Sequence, residues 1–195
     1  MDAALSDAGR RAGEHLVCRP GCTQCCHGAF AIDALDALRL TRAMQTMRIA
    51  EPRRAARIEA RAKRYLAEFG GEFPGNLETG RLGTSDAEQA AFEDFANEAA
   101  CPALDPETGL CEVYEARPMT CRVFGPPVRV DAEEEAYSVC ELCFTEASEE
   151  EIAACSMDVP QAEEEQLVQE LAELLPAEDP LRNGETIVAF CLLQP

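Results

Sequence analysis

The 195-residue sequence predicts an α-rich α+β fold, a single domain whose helices surround a cysteine-cluster core with short β-hairpin pieces. Three observations predict it. Apolar residues recur at helical spacing in several capped segments. Eleven cysteines gather in short local groups, and those groups are separated by turn chemistry rather than by long alternating strands. With 47% hydrophobic residues, 6% aromatics and no Trp, the core should be built of Leu, Ala, Val and Ile.

Taken in order, Ala-rich residues 3–16 read as a helix leading to the first cysteines. Pro20 and Gly21 stop any helix there, so Cys18 to Cys26 should be mostly tight loop. Asp33 is an N-cap for a helix to Met47, carrying Leu35, Leu38, Leu40 and Met44, and Pro52 opens another running to about Phe69. Residues 70–83 have loop composition. Ser85 with Glu88 spells a capping box for a helix to about Glu98. Between Cys101 and Cys111, Asp105, Pro106 and Gly109 predict a hairpin or turn, and Val128 to Val130 a short strand. Ser148 with Glu151 caps a further helix, and Gln161 to Leu175 is an acidic amphipathic helix stopped by Pro176. Thr186 to Leu193 reads as an apolar β segment. With no internal repeat or low-complexity linker, the expected organisation is an N-terminal helix (1–17), a cysteine-cluster domain (18–145) and an acidic helical extension packed on it (146–195).

The net charge of −20 is uneven: residues 1–70 carry 12 basic against 8 acidic side chains, and residues 71–195 carry 5 against 29. Such acidity argues against nucleic acid and anionic membrane as partners, leaving metal ions, with any protein partner unspecified. The strip Arg53, Arg54, Arg57, Arg61, Lys63 and Arg64, interrupted by Glu59, reads as the solvated face of a helix rather than an anion site. No secretory signal is visible and no apolar run approaches the ~18 residues of a membrane span, so the expected location is the cytoplasm. Thiols stay reduced there, and an odd number of cysteines fits metal better than disulfides.

Four thiolates can bind one zinc ion or one iron–sulfur cluster, and local pairs supply them at low ordering cost. Cys18, Cys22, Cys25 and Cys26 fall within nine residues, a density with no packing rationale. Neighbouring side chains normally diverge, so one of Cys25 and Cys26 is expected to serve a second site. Cys101, Cys111 and Cys121 follow with nine residues between each, then Cys140 and Cys143 as a CxxC. Zinc and iron–sulfur both accept this set, and the adjacent cysteines favour iron–sulfur slightly. Cys155 and Cys191 read as buried core thiols.

The run CxxxCxxCC, then Cys101-Pro-Ala-Leu, then Cys111-Glu-Val-Tyr-Glu-Ala-Arg-Pro-Met-Thr-Cys121-Arg-Val-Phe, resembles the YkgJ-type cysteine-cluster family, the zinc- or iron-chelating CxxCxxCC domain. The resemblance spans Cys18 to about Cys143. It implies Cys18, Cys22, Cys25, Cys26, Cys101, Cys111, Cys121 and one late cysteine, Cys140 or Cys143, as metal ligands, with Cys140 taken as the eighth. Many members begin with CxxC, so this chain carries one inserted residue. The region is also similar to the cysteine segment of flagellin lysine methylases, which shows that such a module can sit within an enzyme. Arg117 and Tyr114, with Pro118, are expected to brace the turn between ligand cysteines, His27 to lie beside rather than on the metal, and His15 to be a helix residue.

The expectation for function is therefore a metal-binding protein, more a binding module than an enzyme. The alternative is a redox or methyl-transfer iron–sulfur enzyme or its accessory subunit. Cys18, Cys22 and Cys25 reproduce the CxxxCxxC spacing of radical SAM enzymes, but Gln24 replaces the usual aromatic, and no barrel pattern follows. The GGEF at Gly70 to Phe73 lacks the α/β framework of a cyclase. Cys140 to Cys143 sits among acids that would raise a thiol, against a redox CxxC.

Overall fold

The structure, a computed structural model, describes residues 2–131 and 136–195, with the side chains of Asp2 and Asp131 excepted. Helix α1 (Asp2–Ala12) ends where Gly13 takes a positive φ, and a 3-10 turn (Gly13–His15) hands the chain to the cysteine loop. Helix α2 (Ala34–Ala50) starts at Asp33, whose Oδ1 accepts from the Asp36 amide at 2.9 Å, and α3 (Pro52–Phe69) starts at Pro52. These two pack as an antiparallel pair. Along α3, Ala55, Ile58, Ala62 and Tyr65 recur at helical spacing and are all buried.

The predicted loop 70–83 contains a small hairpin, β1 (Gly75–Asn76) against β2 (Arg81–Leu82). The Asn76 side chain makes it, accepting from the amides of Glu78 and Thr79 and so holding the turn locally. Helix α4 (Asp86–Glu93) carries the complete Ser85–Glu88 capping box but stops before Glu98, because Ala96 has entered the left-handed region. A short helix that the sequence did not reveal, α5 (Met119–Arg122), carries Cys121. Strand β3 (Val128–Asp131) pairs antiparallel with β4 (Ala136–Ser138). Helix α6 (Glu149–Cys155) has the Ser148–Glu151 box, and α7 (Gln161–Leu174) follows.

The C-terminal segment corrects the β expectation. Residues Val188–Cys191 form α8, and only Thr186 makes a bridge, to Ile32. Every side chain from Thr186 to Leu192 is buried, so the segment is apolar on all sides and shows neither helical nor strand period. It lies against α2 and α3, where Leu40, Met44, Ile58 and Leu192 are fully enclosed. Burying each such side chain stabilises by about 1.5–3 kcal/mol. An aromatic layer of Tyr65, Phe73, Phe95 and Phe190 extends this core.

A second, smaller core gathers Ala12 of α1, Cys155 of α6, Cys143 and Phe144; Ala8, Val128 and Met157 pack beside it. Among the described residues the only sheets are these two antiparallel pairs, which leaves no parallel framework for a radical SAM barrel. No helix among them is long and apolar enough to cross a membrane.

Candidate metal centre

Of the nine cysteines from Cys18 to Cys143, all but Cys121, which α5 carries, lie in loops and turns. Arg19, Pro20, Gly21 and Cys22 form a turn closed by the Cys22 amide on the Arg19 carbonyl at 2.9 Å; Pro20 sets its first corner and Gly21, at φ +88°, its second. Gln24–Cys26 then coil into a single 3-10 turn. The chain leaves it paired with residues 99–101: Gly28 donates to Ala99, and Cys101 donates to the Cys26 carbonyl at 2.7 Å. That backbone pairing puts Cys26 beside Cys101.

Cys111 returns to the same place because residues 101–112 fold as the predicted hairpin. Leu104 bridges to Cys111, Asp105 and Leu110 close the tip, and the Glu112 amide donates to Ala103 at 2.8 Å. Helix α3 clamps the hairpin from outside. Arg54 donates to the Glu112 carbonyl at 2.6 Å and Arg61 to the Pro102 carbonyl at 2.8 Å. The buried Glu112 carboxylate pairs with Arg54, Arg57 and Arg61. This corrects the reading of the basic strip as a purely solvated face. Arg53, Lys63 and Arg64 are exposed, but Arg54, Arg57 and Arg61 form a row that grips the hairpin.

Cys121 is placed by a carboxylate from α2. Asp36, 5% exposed, accepts from the Met119 amide at 2.6 Å and so caps the first turn of α5, while Arg39 pairs with its other oxygen at 3.1 Å. Cys25, Cys26, Cys101, Cys111 and Cys121 thus converge on one cavity of about 430 Å³, whose wall also includes Cys18, Cys22, Phe30, Phe124 and Arg117. The divergence expected of Cys25 and Cys26 does not occur. Both residues, carried by the 3-10 turn, line this one cavity.

The electrostatic neighbours of each thiol divide the cysteines. Cys26 is influenced by Cys25, Cys101 and Cys111, and Cys121 by Cys101, Cys111 and Cys25. Cys18 is influenced instead by Cys143, Cys22 and Cys140, and Cys140 by Cys143 and Cys22. Both late cysteines fall on the Cys18 side, while Cys18, Cys22, Cys25 and Cys26 all line the one cavity. Cys143, not retained as the eighth ligand, is the thiol whose interaction with Cys18 is strongest.

Burial pushes the thiols of Cys101 and Cys121 up to about 12, and burial followed by Cys143 does the same to Cys18. Cys25 is the exception: the Cys26 thiol stabilises its thiolate and lowers it to about 6, with Arg117 and His27 adding smaller favourable charges, while Cys26 is driven up. Arg117 stacks its guanidinium on the Tyr114 ring at 3.8 Å, the expected brace, and its buried Nε has no hydrogen-bond partner among the described residues. His27 is exposed and donates to the Thr23 carbonyl at 3.0 Å. His15 ends the 3-10 turn and stacks on Phe144. Cys155 and Cys191 are buried in the two cores, Cys191 bonding back to the Ile187 carbonyl.

Among the described residues no three Cys, His, Asp or Glu side chains are drawn together closely enough to hold an ion as they stand. The donor chemistry nonetheless fits a soft metal. Thiols held protonated by burial lack only a cation to ionise them, and each binding event would release their protons.

No curated protein and no solved structure matches the chain significantly. Residues 17–144, however, match the model of the CxxCxxCC family, described as a "Putative zinc- or iron-chelating domain". The matched stretch begins one residue before Cys18 and ends one after Cys143, enclosing all nine clustered cysteines, and the chain belongs to that family.

Proposed function

We propose that this chain is a metal-binding protein of a reducing compartment, the cytoplasm, that holds an iron–sulfur cluster on the thiolates of Cys25, Cys26, Cys101, Cys111 and Cys121. The observation that carries this reading is the convergence of seven cysteines from three segments on one cavity of about 430 Å³. A lone tetrahedral zinc takes four donors and needs no space beyond them, whereas a polynuclear centre needs both soft donors and room. The cluster would supply electron transfer or Lewis acidity. Phe30 and Phe124, whose rings lie 5.8 Å apart, give the cavity an aromatic wall, and the Arg117 charge on the same wall favours the thiolates of Cys25, Cys111 and Cys121.

The same cavity supports a second reading, a redox or methyl-transfer enzyme or its accessory subunit, because space remaining beside a bound centre would admit a small substrate. Anaerobic purification followed by iron, zinc and sulfide analysis and an absorption spectrum tests both. Brown protein with labile sulfide is the expected result. Colourless protein with zinc and no sulfide overturns the cluster assignment, and protein that takes up neither metal overturns metal binding altogether.

A further inference from the structure

We propose that a second cavity, which shares no residue with the wall of the cysteine basin, binds a free α-amino acid with an apolar side chain, its ammonium group on Asp33 and its carboxylate on Arg182. No cysteine lines this cavity, so the inference is independent of the metal-binding reading above. Part of its wall comes from α7, which lies beyond the residues 17–144 that match the family.

The cavity measures about 420 Å³, a size typical of small-molecule sites. Three of its wall segments are joined through their backbones. Ile32 and Thr186 exchange both backbone hydrogen bonds at 2.9 Å, which sets Ala31 and Asp33 beside Glu185. The Leu82 amide donates to the Glu185 carbonyl at 2.8 Å, which brings in residues 82–84. Gly83 lets that segment lie against the start of α4, because a Cβ there would collide with the Glu88 carboxylate. Phe92 of α4, with Val168 and Ala172 of α7, completes the wall.

Two half-buried groups of opposite charge stand on this wall, and neither has an ionic partner. Asp33 spends Oδ1 on the Asp36 amide, and its other oxygen bonds to no described residue. The carboxylates its charge acts on, Asp36 and Glu164, repel it, and Arg39 is already committed to Asp36 at 3.1 Å, so an added cation is favoured there. Arg182 belongs to the stretch 71–195, which holds 29 acidic side chains against 5 basic, yet its guanidinium forms no ion pair among the described residues, even with Glu185 on the same wall. A guanidinium so left suits a carboxylate. Leu82, Phe92, Val168 and Leu181 line the same space and suit an apolar side chain, and the amides of Gln89 and Gln169 can hydrogen-bond to either charged end. One molecule that carries an ammonium group, a carboxylate and an apolar side chain satisfies all three kinds of surface.

The test is calorimetric titration of the full chain with L-leucine and L-phenylalanine, beside analogues that lack one charge: isoamylamine and 4-methylpentanoate for the first, phenethylamine and 3-phenylpropanoate for the second. At least one of the two amino acids should bind saturably, and each of its analogues should bind about tenfold more weakly or worse. Two variants locate the site. Asp33→Asn removes the charge but keeps a side chain that caps α2, and Arg182→Gln removes the guanidinium from a position with no side-chain bond to lose. Each should weaken binding about tenfold with its thermal midpoint close to wild type. No saturable binding of either amino acid, an amine or carboxylate analogue that binds as tightly as its parent, or wild-type affinity in either variant would overturn the proposal. A tight amine alone would make this a cation site, and a tight carboxylate alone an anion site.

Discussion

Cys101 and Cys111 stand on a hairpin gripped from outside by charge, whereas Cys140 and Cys143 stand in a turn held mainly from inside by apolar packing. In the first region Arg54, Arg57 and Arg61 converge on Glu112, and Asp36 caps the helix that carries Cys121. In the second, Ala12, Phe144 and Cys155 enclose Cys143, and His15 stacks on Phe144. The difference teaches that ligands can be positioned by two routes with different vulnerabilities. Charged clamps fail when one partner is removed and left uncompensated, while apolar docking fails when the packed elements lose their own stability.

The largest effect should come from Glu112→Ala. Its carboxylate is buried, but Arg57 and Arg54 reach water at 62% and 34% exposure, so a destabilisation of about 3 kcal/mol is expected, at the low end for a broken buried pair. Urea unfolding measures it. Alkylation below the unfolding midpoint should reach Cys101 and Cys111 while Cys143 stays protected; equal reactivity of all three would erase the distinction between the two regions.

Asp36→Ala should cost about 2 kcal/mol, since it strips the Met119 amide of its acceptor. Fraying of α5 should make Cys121 react with a maleimide before Cys25, Cys26, Cys101 and Cys111. Next comes Ser148→Ala, at about 1 kcal/mol, through loss of the capping box that starts α6. Its consequence should fall on the other region, exposing Cys155 and Cys143 to alkylation before Cys101.

The smallest effect concerns pH. Burial raises the Asp36 carboxyl above its ordinary 3.8, against the opposing pull of the Met119 amide and Arg39 and with the help of nearby Asp33. A raised carboxyl favours the protonated folded form, so its contribution is full below pH 3.8 and is lost as pH rises through the folded value. Asp36→Asn should therefore flatten the stability profile above pH 3.8 and leave neutral-pH stability equal to or slightly above wild type. A variant less stable at neutral pH than at pH 4, like the parent, would show that the slope arises elsewhere.

The helices were legible where capping and period agree. Asp33, Ser85 and Ser148 cap as predicted, because a side-chain oxygen three residues before a free amide acts through local geometry alone. Thr186 to Leu193 was misread because burial on every side removes the period that separates helix from strand. α5 escaped notice because four residues carry no period, and its cap is Asp36, 83 positions away. The arginine row on α3 was legible as a helical face but not as a clamp, since its partner Glu112 is 51 residues or more distant.

By itself the sequence determined the donor chemistry and the family: nine clustered thiols at chelating spacings, in a compound motif that residues 17–144 match. Only the tertiary structure decided which thiols share a neighbourhood. Spacing constrains ligands within one loop, where a few bonds fix their separation, but pairing between loops depends on backbone contacts such as Cys101 with Cys26 and Phe144 with His15. Those contacts set Cys101 beside Cys26 and dock the turn of Cys140 and Cys143 near the start of the cysteine run, pairings that spacing along the chain does not contain.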